Sequence, residues 1–132
     1  MSRKVKRVPY HLDPKNLKSL PDEEINAILR AADDIAGEGG RNVLSKILKG
    51  SGEKKVLELG LDKNPAYGYF HTTTIKEILT KIDCCIEQGY LQVEYDYRLP
   101  MIFFTTKGWE IEKQVRIKEF IRIFDRMLES ET

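Results

Sequence analysis

The sequence predicts an α+β fold, mostly helical, with a three-helix core, a two-stranded β-hairpin and an additional C-terminal helix. Three observations lead there. Ahead of Gly89, three segments carry apolar residues at three- and four-residue steps, the period of a helix buried along one face. Residues 90–95 alternate in polarity, and after a turn residues 101–104 return, as hairpin strands do. A chain of 132 residues, 41% hydrophobic and 33% charged, is long and apolar enough for one domain with its own core. Wholesale disorder is excluded. No apolar run approaches the roughly 20 residues that a membrane-spanning helix needs.

Residues 1–18 show no periodicity and contain Pro9 and Pro14, which suits an extended basic N-terminal arm. The first helix is expected from near Leu20, with Ser19 as cap and Pro21 in the first turn. Asp22, Glu23 and Glu24 lie at its positive end, and Ile25, Ile28, Leu29, Ala32 and Ile35 form its apolar stripe. Gly37, Gly39 and Gly40 stop it. A second helix spans Arg41 to Lys49, burying Val43, Leu44, Ile47 and Leu48, and Gly50 ends it. Residues 50–71 read as a connector with one helical turn around Val56 to Leu61, and Asn64-Pro65 and Tyr67-Gly68 mark turns. The third helix opens on the capping box Thr74-x-x-Glu77, and Ile75, Ile78, Leu79, Ile82, Cys85 and Ile86 make its apolar face. After Gly89, residues 90–95 form a half-buried strand, 96–100 the hairpin tip and 101–104 the returning strand. A last amphipathic helix runs from about Trp109 to Leu128.

That order is the order of a winged helix, whose third helix is commonly offered to DNA and whose hairpin wing reaches a flanking groove. The same order serves winged helices that bind only proteins, so the fold alone does not give a function. The net charge of +1 hides a block pattern: residues 1–18 sum to +5, 21–38 to −5 and 40–55 to +4. Two basic blocks on a nearly neutral chain can hold a polyanion on one face. Any one such block is better explained as solvated surface, so the case rests on which elements hold the charges.

Several motifs narrow the choice. Gly40-Arg41, then Ile47-Leu48-Lys49-Gly50-Ser51, Lys54-Lys55, Tyr67-Gly68, Gly89-Tyr90-Leu91 and Thr105-x-Lys107-Gly108 occur in order. Together they resemble the RQC domain, the winged helix C-terminal to the motor of RecQ helicases, and most of all its small stand-alone bacterial relatives, the minor RQC family. The resemblance covers roughly residues 22–110 and divides the chain into an arm (1–18), an RQC-like winged helix (19–108) and a C-terminal helix (109–132). It implies duplex or forked DNA as partner, with Lys49 and Ser51 in the places of the basic residue and serine that hold phosphates in that family. A cation beside a glycine and a hydroxyl can approach a phosphate closely. The start of the third helix, with Thr72 and Thr73 beside it, offers free N–H groups to the same kind of ligand. In helicase members an aromatic wing tip acts as a wedge. Here the tip is short, that place falls near Arg98 and Leu99 with Tyr97 adjacent, and no motor accompanies it.

The expected DNA surface therefore combines Arg41, Lys46, Lys49, Ser51, Lys54, Thr72, Thr73, Lys76, Lys81, Tyr97 and Arg98. Ile117, Phe120, Ile121, Phe124 and Leu128 form a stripe on the last helix suited to a homodimer seam, or else to packing back on the first helix. Cys84 and Cys85 are adjacent, point about 100° apart on a helix and do not converge on one ion. His11 and His71 have no spaced partner, so neither metal nor cofactor is expected. Gly50-Ser51-Gly52-Glu53-Lys54-Lys55 lacks the spacing of a nucleotide-phosphate loop. No catalytic grouping is readable, and the expected activity is non-catalytic DNA binding in repair or transcription regulation. The rival is a winged helix that docks a protein through its last helix. Paired free cysteines and the absence of a secretory leader pattern suit a bacterial cytoplasm.

Overall fold

A computed structural model of the chain describes residues 20–130. The basic arm and the expected cap at Ser19 lie outside the described residues. The elements run α1 (Asp22–Ala32), α2 (Arg41–Lys49), α3 (Lys54–Glu58), a 3-10 turn (Leu61–Lys63), α4 (Ile75–Glu87), β1 (Leu91–Asp96), β2 (Leu99–Phe104) and α5 (Thr106–Ser130). This is the α+β winged helix with a C-terminal helix that the sequence predicts. α4 is its third core helix, because the short α3 only interrupts the connector.

Ile28, Leu29, Leu44, Ile47, Leu48, Ile78, Ile82, Leu91 and Ile102 are fully buried and knit α1, α2 and α4 to the hairpin. The expected stripes supply nearly all of this core. α1 is shorter than its stripe: it ends at Ala32, and Ile35 is buried from the turn that follows. Val43 is only half-buried, and its place among the fully covered residues of α2 is taken by Ser45, whose hydroxyl donates to the Asn42 carbonyl at 2.7 Å. Thr74 caps α4, accepting from the Glu77 amide at 3.2 Å, as the capping box requires. Cys84, placed by its spacing at the edge of the apolar face, is as buried as Cys85.

β1 and β2 pair antiparallel from Leu91 opposite Phe104 to Asp96 opposite Leu99, which leaves Tyr97 and Arg98 as the tip. The tip is thus shorter than the five residues 96–100 expected for it. β2 also pairs on its other side: the Gly37 amide donates to the Ile102 carbonyl at 2.8 Å, and the Ile102 amide to the Gly39 carbonyl at 2.9 Å. The wing is in this way stitched to the loop between α1 and α2. At its base, Thr105 Oγ1 donates to the Gly89 carbonyl at 2.6 Å and accepts from the Gly108 amide at 3.0 Å. A Cβ at Gly108 would collide with the Tyr90 carbonyl, so the Thr-x-Lys-Gly motif is a junction that only glycine can close.

α5 starts at Thr106, three residues ahead of the expected Trp109, because the Trp109 amide reaches back to the Thr105 carbonyl at 2.9 Å. Its first half lies on α1, where Arg30 forks onto Glu119 (3.1 and 3.2 Å) and Asp33 receives Arg116 at 3.3 Å. Every residue of its second half, Phe120 to Ser130, is exposed.

Candidate nucleic-acid interface

The end of α2 is built by one close approach. Gly50 takes a left-handed φ of +81°, and a Cβ there would stand 3.0 Å from the Gly68 Cα. That contact lets the Gly68 and Phe70 amides donate to the Ile47 and Leu48 carbonyls, both at 2.9 Å, closing the free end of the helix. The Tyr67 hydroxyl donates to the Ser51 carbonyl at 2.7 Å. Leu48-Lys49-Gly50-Ser51 and Tyr67-Gly68, apart in sequence, are one interlocked corner.

The corner carries a hollow of about 510 Å³ lined by Asn42, Ser45, Lys46, Lys49, Gly50, Ser51, Glu53 and Ile75. Lys46, Lys49 and Ser51 of the expected surface meet here, next to the start of α4. Lys49 Nζ donates to the His71 and Thr73 carbonyls at 3.0 and 2.7 Å, which braces the turn carrying Thr72 and Thr73 and leaves one N–H of the ammonium unspent. Lys46 is paired with Glu53 at 3.0 Å across partly exposed side chains, an exchangeable pair that a phosphate can replace. Ser51 Oγ accepts from the Glu53 amide at 3.1 Å and so keeps its own proton to give. Ile75 and Lys76 open α4, where the first-turn amides and the helix dipole favour an anion. Asn42 and Ser45 were not expected at this site. Asn42, Lys46 and Lys49 lie at four- and three-residue steps on one face of α2, and that spacing is the signal that could have found Asn42.

Other expected contacts lie elsewhere. Arg41 forks onto Asp83 at 2.7 and 2.8 Å, with the Asp83 side chain only 3% exposed, and so ties α2 to α4. Lys81 is held by Glu24 at 2.7 Å and lies 5.3 Å over the Phe70 ring. Both expected contacts serve here as inter-helix ties. Lys54 on α3 is exposed and loosely paired with Glu58 at 3.9 Å, and Lys76 is exposed on α4. Tyr97 and Arg98 stand at the wing tip, apart from the hollow, and Tyr97 is 96% exposed with a φ of +61°.

No helix among the described residues is long and apolar enough to cross a membrane, and none of their His, Cys, Asp and Glu gather as a metal site. Burial raises the thiols of Cys84 and Cys85, that of Cys85 to about 12, far from a reactive thiolate.

A helical core, a hairpin wing and a basic corner at the start of the third core helix define a nucleic-acid-binding winged helix. The RQC domain family matches residues 22–124, and the chain belongs to that family. No curated protein and no solved structure matches it.

Proposed function

We propose that this protein is a non-catalytic DNA-binding module. It would hold the phosphates of duplex or forked DNA in the corner of Lys46, Lys49 and Ser51, with Lys54, Lys76 and the wing residues Tyr97 and Arg98 alongside. One observation carries the reading: Lys49, Gly50 and Ser51 of the RQC resemblance line one hollow beside a helix start, with donors left to give. The module would serve as a regulator or as an accessory in DNA maintenance in a bacterial cytoplasm, and as a homodimer through α5. Anisotropy titrations against duplex, forked and single-stranded DNA test it. Lys46→Ala and Arg98→Ala are each expected to weaken binding several-fold on every sequence. Lys46 is preferred to Lys49, whose loss would also free the turn before α4. Wild-type affinity in both variants would mean that the DNA lies on another face.

A second reading, protein docking through α5, is favoured by the exposed apolar residues of that helix, from Ile117 to Leu128. A chain without DNA affinity at low salt would leave it standing alone.

A further inference from the structure

We infer that the second half of α5 is a seam that pairs antiparallel with the same helix of a second copy, crossing near Arg122. This deepens the homodimer part of the reading above and is independent of where DNA binds. The ion pairs that hold α5 to the body, from Arg30 and Asp33, end at Glu119, and Arg122 beyond it still lines the groove beside α1. Beyond that, Phe120, Ile121, Ile123, Phe124, Met127 and Leu128 are 47–67% exposed on about three turns of helix. A helix of that length is marginal in water by itself, and large apolar side chains along it ask for a cover.

The spacing says what the cover is. Lys113, Ile117, Phe120, Phe124 and Met127 follow alternating four- and three-residue steps, a heptad seam on the side of α5 turned away from α1. Laid antiparallel on a second copy, Ile117 meets the other helix's Met127 and Phe120 meets its Phe124. The flanking Ile121 and Ile123 each meet their own counterparts across the two-fold axis. Every exposed apolar residue from Ile117 to Met127 is then used, and the contact is closed and self-complementary. A hollow of about 380 Å³ beside Ile117, walled by Trp109 and Phe120, receives the incoming Met127. Charge selects the direction. A parallel pair sets Lys113 against Lys113 in the seam. The antiparallel pair instead sets Lys113 beside the C-terminal end of the other helix, whose free carbonyls favour a cation.

Sedimentation velocity of the full chain, wild type and Phe124→Glu, comes first. Phe124 stands in the exposed half of α5, so the variant is expected to keep a cooperatively folding body, to lose only the stabilisation that the dimer contact adds, and to sediment as a monomer where the wild type is a dimer. Spin labels on a Ser130→Cys chain then read the direction, since the native cysteines are buried. An antiparallel seam crossing at Arg122 parts the labels by about 24 Å along the axis, whereas a parallel one leaves them about 10 Å apart. A monomeric wild type overturns both the seam and the homodimer. A dimer with the short distance overturns the antiparallel arrangement and keeps the dimer, and a dimer that survives Phe124→Glu moves the contact off this helix.

Discussion

Arg41 and Lys49 open and close the same helix, and the fold treats their charges differently. Arg41 is spent on Asp83, a carboxylate with almost no access to water, so removing the guanidinium takes its forked partner from a buried charge. Arg41→Ala is expected to lower unfolding free energy by about 3–5 kcal/mol in urea titrations, whereas Lys46→Ala, at an exposed pair, should change it by under about 1 kcal/mol. Equal small losses would show that the Arg41–Asp83 tie is not worth its geometry. Glu112 is the other residue whose environment decides its behaviour. Its carboxylate is buried with neither oxygen hydrogen-bonded. Burial first, and then the negative charge of Asp33, push the carboxyl up to about 7, against the pull of Arg116 and Arg30. The unfolded chain returns it to its ordinary 4.5, so folding takes up a proton between those values. The stabilisation is complete below about 4.5 and is lost as pH rises through about 7. Calorimetry from pH 5 to 8 should show a falling melting temperature in the wild type and a flatter profile in Glu112→Gln. Parallel profiles would place the titration elsewhere.

Among the elements, α2 and α4 were legible because each combines a clean apolar stripe with its own stop or start signal, Gly50 and the Thr74–Glu77 box. The connector was not, since Gly60 with a φ of +71° splits what reads as one turn into α3 and a 3-10 turn. Nor was the pairing of β2 with Gly37 and Gly39, because backbone bonds between distant segments leave no side-chain pattern. The corner of Lys46, Lys49 and Ser51 could be read from the motif that carries it. The ties of Arg41 and Lys81 could not, because their partners Asp83 and Glu24 are far away in sequence and a charge does not name its partner. The wing tip falls between these cases: alternation gives the strands, but nothing announces that Tyr97 turns the chain. A left-handed tyrosine costs about 1–2 kcal/mol that glycine avoids. Tyr97→Gly is therefore expected to melt no lower than the wild type, and Tyr97→Ala to keep the strain. Should the ring stack on a base pair at a fork, both variants lose about 1–3 kcal/mol of forked-DNA affinity. Wild-type affinity in both would make the ring a surface residue without a ligand.

Over the whole molecule, charge and symmetry combine into one observable. The acidic block of residues 21–38 has its Glu24 turned to Lys81 and its Asp33 to Arg30 and Arg116, so it neutralises cations within the fold. With Arg41 and Lys81 engaged in inter-helix ties, the expected surface keeps Lys46 and Lys49 at the hollow, Lys54 on α3, Lys76 on α4 and Arg98 on the wing. If about four of these five cations meet phosphates, one copy predicts a slope of about −3.6 for log affinity against log salt on duplex DNA. Two copies joined through α5 and engaged on one duplex neutralise twice as many, and the slope steepens to about −7. Measured on a duplex long enough for both copies, the wild type should therefore show about twice the slope of Phe124→Glu, while on a short duplex that seats one copy the two should coincide. A slope near zero for both would remove phosphate contact as the source of affinity. Equal slopes on the long duplex would mean that the two copies of the dimer do not share one DNA.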